Sequence, residues 1–174
     1  MHVFLTGERQ AGKSTAISTA SALLGRPVYG FRTFFLDRLD AQKALYMLSA
    51  ASQAAPDESH VVTRFIDNVP HPMTERFDAI GCALLQEARR HPEGLILMDE
   101  CSRFERDALR FQQEILQCLN GSIPVLGVVR LNASGWVEQI RRHPRVKLLT
   151  VTEENRQEIP QTILSLIAQG ENHD

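Results

Sequence analysis

The sequence predicts an α/β fold, a mostly parallel sheet with helices on both faces, and two observations carry that expectation. Short apolar runs alternate with longer amphipathic ones along the 174 residues, as βα units around a largely parallel sheet require. The run Leu95-Ile96-Leu97-Met98 is apolar without a break, which suits a central strand covered on both faces. Hydrophobic residues make up 43% of the chain and charged residues 23%, enough for a packed core and too balanced for global disorder. The length favours a single domain over 1–174.

The elements follow in order. His2 to Thr6 reads as a buried strand. Residues 12–24 read as a helix with Ile17, Ala20, Leu23 and Leu24 on one face, stopped by Gly25 with Pro27 beyond it. Val28 to Phe31 suits a short strand. The stretch 33–72 is the hardest to read and is expected to be an insertion or lid. Within it Leu39, Ala44, Leu45, Leu48 and Ala51 have helical spacing, and Ala55-Pro56-Asp57 breaks the pattern. Val61 to Ile66 suits a strand and Pro70-His71-Pro72 a loop. Thr74 is expected to cap a helix that turns Phe77, Ile80, Leu84, Leu85 and Ala88 inward and stops at His91-Pro92.

In the last third, a helix over about 106–119 carries Ala108, Phe111, Ile115 and Leu119 inward, up to Asn120-Gly121. Val125 to Val129 and Val146 to Val151 read as strands joined through a helix containing Trp136, Val137 and Ile140. Thr152 is expected to open a terminal helical segment, with Glu153 and Glu154 at its positive end. Pro160 would restart or bend that segment, leaving Ile163, Leu166 and Ile167 against the sheet.

Composition excludes several classes. A net charge of −2 supplies no basic footprint, which argues against nucleic acid as a partner. No apolar run approaches the roughly 20 residues needed to cross a bilayer, so no membrane partner is expected. The strand beginning at His2 leaves no room for a signal peptide ahead of it. Cys82, Cys101 and Cys118 fit no zinc or redox spacing and read as small buried hydrophobes, consistent with a reducing, cytoplasmic setting.

The chemistry concentrates in one segment. Gly7-Glu8-Arg9-Gln10-Ala11-Gly12-Lys13-Ser14 matches G-x-x-x-x-G-K-[ST], directly after a strand and directly before an amphipathic helix. A chain leaving a strand there can wrap phosphate oxygens with its own N–H groups, provided glycines keep side chains out of the way. The helix then points its positive end at the same anion. The expected architecture is thereby narrowed to a three-layer P-loop NTPase fold. Lys13 supplies a cation for the β- and γ-phosphates, the Ser14 hydroxyl a ligand for Mg²⁺, and Thr15 a contact to the α-phosphate. The apolar run at 95–98 ends in Asp99-Glu100. In such a fold Asp99 holds the magnesium's water shell, and Glu100 faces the γ-phosphate, where a carboxylate can orient or deprotonate water. Among other charged groups, Arg130 ends a strand where it could meet transition-state charge, as could Arg103 and Arg106. His71 and Trp136 are expected to be, respectively, exposed and packed.

Taken in order, Val3-Phe4-Leu5-Thr6-Gly7 through Gly12-Lys13-Ser14-Thr15, Gly30-Phe31-Arg32-Thr33, Asp99-Glu100 with Glu105 and Phe111, Pro124-Val125-Leu126-Gly127 and Val151-Thr152-Glu153-Glu154-Asn155-Arg156 resemble the cancer-related nucleoside-triphosphatase family. The resemblance implies a small P-loop enzyme that hydrolyses nucleoside triphosphates with loose base choice. It assigns phosphate binding to Gly7, Glu8, Arg9, Gln10, Ala11, Gly12, Lys13, Ser14 and Thr15, metal handling to Ser14 and Asp99, and water activation to Glu100. It marks Glu105 as a supporting position and Asn155 and Arg156 as the approach to the nucleobase. The chain departs from the family at Glu8, Arg9 and Gln10, where prolines and a further glycine are usual, and at Ser102 and Phe104. The family's glycine-rich hairpin after Gly-Phe-x-Thr has no visible counterpart, since a helical pattern stands there. Two other readings stay open: a small nucleotide or small-molecule kinase with 33–72 as its acceptor lid, and a nucleotide-gated module read by a protein partner that the sequence does not identify.

Overall fold

A computed structural model describes residues 1–37 and 43–171. Its centre is an eight-stranded mixed sheet. The first strand, β1 (His2–Thr6), is buried throughout and leads through the glycine-rich turn into helix α1 (Lys13–Leu24). Then come β2 (Val28–Asp37), β3 (Lys43–Ser49), β4 (Val61–Ile66) and β5 (Val69–Pro72). A single helical rod follows: α2 (Thr74–Arg76) runs through a π turn at Phe77–Gly81 into α3 (Cys82–Ala88). The remainder is β6 (Leu95–Cys101), α4 (Leu109–Asn120), β7 (Val125–Val129), α5 (Glu138–Arg141), β8 (Val146–Thr150) and α6 (Ile159–Glu171).

The strand order is β5-β4-β3-β2-β6-β7-β1-β8. The block from β2 to β8 is parallel, as the alternating pattern requires, while β3, β4 and β5 extend it as an antiparallel meander. Two apolar layers sandwich the sheet. Phe4, Phe31, Met98 and Ile96 meet Phe77, Phe111, Ile115, Trp136 and Ile140 from the rod, α4, the turn before α5 and α5 itself. On the other face Val3, Leu5, Leu95 and Leu97 meet Ile17 and Ala20 of α1 and Ile163 and Ile167 of α6. The result is three layers. Phe31 and Phe111 meet edge to face with ring centres 5.2 Å apart, a geometry the ring quadrupoles favour.

Several sequence expectations need correction. The helix expected from Leu39 to Ala51 is replaced, within the described residues, by strand β3; Leu39 itself lies outside them. Residues Ala44 to Leu48 are all buried, with Leu45 and Met47 in one apolar cluster and Ala44, Tyr46 and Leu48 in another. A strand covered on both faces has no polar alternation, so its periodicity cannot be told from that of a helix. Antiparallel β2 and β3 form a paired ribbon that begins at Phe31, within Gly30-Phe31-Arg32-Thr33. The segment Pro70-His71-Pro72 is edge strand rather than loop; prolines are tolerated because β5 pairs only with β4. Its turn is Asp67-Asn68, both with positive φ (49° and 62°), the two-residue form that matches strand twist.

Thr74 does not cap its helix but begins it; the N-cap position is Met73, which makes no side-chain capping bond. Leu23 points to solvent instead of joining Ile17 and Ala20. The last helix starts at Ile159, not Thr152, so Pro160 stands in the first turn, where a missing N–H costs nothing. Cys82, Cys101 and Cys118 are free and buried. No described helix is long and apolar enough to cross a membrane.

Candidate functional site

The carboxyl ends of the parallel strands meet along one rim of the sheet, the place where open α/β sheets bind ligands. The turn after β1 is shaped by glycine. At Gly7 φ is +142°, and a Cβ there would lie 2.4 Å from the Val151 carbonyl oxygen. Val151 cannot retreat easily, because its own N–H donates to the Thr6 carbonyl at 2.8 Å. Gly12 has φ +105°, and α1 starts directly after it, so the helix N-terminus opens into the turn. The Lys13 ammonium donates to the carbonyls of Gly7 (2.8 Å) and Glu8 (2.6 Å). Its side chain is thus folded back over the loop. Ser14 and Thr15 are exposed at the start of α1, and Glu8, Arg9 and Gln10 are exposed at the tip, while Ala11 is buried.

Opposite the loop stands the acid pair. Asp99 and Glu100 lie near the end of β6, and β7 separates that strand from β1. Burial pushes the Asp99 carboxyl up to about 6, helped by the neighbouring Glu100 charge and opposed by Lys13 and Arg32. Burial likewise raises Glu100, with Arg130 and Lys13 pulling the other way. Loop cation and both acids therefore share one electrostatic site. The Glu100 backbone N–H donates to the Thr33 hydroxyl of β2 at 3.2 Å. Arg130, at the end of β7, sets its guanidinium 3.7 Å from a Glu100 carboxylate oxygen. The carbonyls of Arg130, Leu131 and Ala133 all accept from Arg141, which ties down the loop that carries Arg130.

Glu105 is buried behind this rim and accepts from the Ser102 N–H at 2.9 Å and the Ser102 hydroxyl at 3.1 Å. Burial raises its carboxyl to about 7. The Ser102 carbonyl in turn accepts from the Trp136 indole at 2.7 Å, so Trp136 is packed and engaged within the core. Arg103 and Arg106 are exposed, Arg106 paired with Asp107 at 3.2 Å. His71 is exposed on β5, at the far edge of the sheet.

Asn155 and Arg156 part company. The Asn155 amide accepts from the Thr152 N–H and donates to the Thr150 carbonyl, both at 2.9 Å, so it builds the turn between β8 and α6. Arg156 lies over Gly12, and with Thr15, Thr19, Gln157 and Pro160 it lines a cavity of ≈ 360 Å³ beside the phosphate-loop turn. Oxygen donors alone, the Ser14 hydroxyl and the Asp99 carboxylate, are available for a metal, a set that suits a hard cation such as magnesium. Among the described residues no group of three or more His, Cys, Asp or Glu forms a cage.

Residues 2–164 match the family model described as NTPase. The chain belongs to this nucleoside-triphosphatase family. Nucleoside-triphosphatase THEP1 of Aquifex aeolicus (strain VF5) is 24% identical over 183 residues, covering 96% of this chain and 99% of that protein. The cancer-related nucleoside-triphosphatase homolog of Mus musculus is 26% identical, covering 95% and 96%. The crystal structure of THEP1 from Aquifex aeolicus superposes with a TM-score of 0.77 at 22% identity, over 96% of this chain and 99% of that one. The solution structure of a human cancer-related nucleoside triphosphatase gives 0.72 at 24% identity, over 95% and 96%. Both likenesses establish the P-loop NTPase fold. Sequence reasoning missed Arg32 and Thr33 as parts of this NTPase's rim, although Gly30-Phe31-Arg32-Thr33 ends the parallel stretch of β2 beside Asp99.

Proposed function

We propose that the chain acts as a single Mg²⁺-dependent nucleoside-triphosphatase domain that cleaves the β–γ bond of ATP, GTP and related triphosphates. One observation carries the reading: two half-buried carboxylates at the end of β6 share the electrostatic site of the phosphate-loop lysine. The backbone of Gly7 to Gly12 cradles the phosphates, and Lys13 exchanges the carbonyls of Gly7 and Glu8 for β- and γ-oxygens. Thr15 faces the α-phosphate. Ser14 and Asp99 would hold Mg²⁺, which neutralises charge on the β- and γ-oxygens when bound.

Glu100 orients a water and takes its proton as the water oxygen bonds to the γ-phosphorus. The bond from that phosphorus to the β–γ bridging oxygen breaks, leaving a diphosphate and inorganic phosphate. Burial that raises the Glu100 carboxyl brings its basicity closer to that task. Arg130 lies beside Glu100, where it can meet charge developing on the transferred group. Glu105 supports both by fixing the turn after β6. The base occupies the cavity beside Arg156, whose planar guanidinium can stack on any base, consistent with broad substrate choice.

The test is phosphate release from a panel of ribo- and deoxyribonucleoside triphosphates with magnesium and no acceptor. Release is expected for the natural chain. Glu100→Gln should bind triphosphate as tightly yet release phosphate roughly a hundredfold or more slowly. A silent panel would point to phosphoryl transfer to an acceptor or to a binding switch.

A further inference from the structure

Arg32 has no part in the functions described so far, yet it sits on the rim of the site. In the β2–β6 register it lies directly across from Asp99, and side chains at paired positions of neighbouring strands share a face of the sheet. Asp99 feels the charge of both Lys13 and Arg32, so the acid is bracketed by two cations, one from the loop and one from β2. The guanidinium is anchored at one corner, where Nη2 donates to the Ser52 carbonyl at 2.6 Å. Its Nε–H is buried and has no hydrogen-bond partner. A buried donor left unmatched is costly, and in a native protein it calls for an explanation such as an ordered water or an ion. An arginine whose planar fork is anchored at one corner beside Asp99 is preorganised for an anion.

We propose that Arg32 is a specificity-determining residue that binds the terminal phosphoryl group, so that the site distinguishes a nucleoside triphosphate from a diphosphate. The inference rests on the triphosphatase reading above. Lys13 and the loop amides grip the phosphates common to both nucleotides from one side. Arg32 approaches from the β2 side, beyond Asp99, and its contact exists only while the third phosphate is present. Hydrolysis removes that contact, which favours departure of the products.

The experiment measures affinity by calorimetry for a non-hydrolysable triphosphate analogue and for the matching diphosphate, with magnesium, on the natural chain, Arg32→Ala and Arg32→Lys. Thermal unfolding verifies that each variant is folded, and the lysine variant keeps a cation should the alanine one collapse. The triphosphate-to-diphosphate affinity ratio is expected to fall about tenfold or more in Arg32→Ala, the size of a lost charge-assisted hydrogen bond, and by less in Arg32→Lys. A merely structural arginine would weaken both ligands equally. An unchanged ratio in a folded variant overturns the proposal and leaves the triphosphatase reading standing. A natural chain that binds neither nucleotide overturns both.

Discussion

Replacing Glu105 by glutamine turns the buried carboxyl behind the acid pair into a measurable pH dependence. Glu105 is 1% exposed, and burial lifts it from an ordinary 4.5 to about 7 in the folded state. Between those two values the native protein keeps a proton that the unfolded chain has released. Stability from this group is therefore fully present below pH 4.5, declines as pH rises, and is lost above about 7. The whole decline is about 3 kcal/mol at 1.36 kcal/mol per pH unit. Glutamine has nearly the same shape, can still accept from the Ser102 N–H, and carries no charge to desolvate. The cost of burying its amide N–H₂ does not vary with pH. Urea unfolding of both proteins at several values from pH 5 to 8 gives the difference in stability at each. The difference should move in favour of Glu105→Gln across the window by up to about 3 kcal/mol and level off above 7. Parallel profiles for the two proteins would refute the assignment of a raised carboxyl to this position.

Two more outcomes follow from the rim. Gly7→Ala should cost about 3 kcal/mol or more in urea unfolding, because its Cβ would stand 2.4 Å from the Val151 carbonyl at a φ that side chains avoid; a natural-chain midpoint would contradict the packing. With Asp99 pushed up to about 6, its carboxyl is protonated below that pH and ionised above it. The magnesium concentration needed for half-maximal triphosphate binding should thus rise as pH falls through 6, with the midpoint moving lower at higher magnesium. Asp99→Asn should flatten that profile, measured by nucleotide fluorescence titration.

The parallel half of the fold was legible because its signals are local. His2 to Thr6, Leu95 to Met98 and Val125 to Val129 are short apolar runs, and the glycine-lysine-serine turn is tied to the strand before it and the helix after it. The meander was not legible, for the opposite reason. Ala44 to Leu48 is buried on both faces by partners distant in sequence, so its helical spacing was a coincidence of composition. At the site, the residue types demanded by phosphate and metal chemistry were readable. Arg32, Thr33 and Arg141 were not, because their partners Asp99, Glu100 and Arg130 are brought to them only by sheet register and loop folding. Asn155 shows the converse: a polar residue in a plausible place whose capacity is taken up by the backbone of its own turn.

The interposed strand β7 has a mechanical meaning. Neighbouring strands stand about 4.8 Å apart, so the phosphate-loop strand and the acid-bearing strand are held roughly 10 Å from one another by two sets of ladder bonds. That spacing works as a caliper. Its jaws are the loop and the carboxylates, and its width is set by main-chain hydrogen bonds of the strands rather than by the side chains at either jaw. Glu8, Arg9 and Gln10 are exposed at the mouth, so the side chains there can vary without changing that gap.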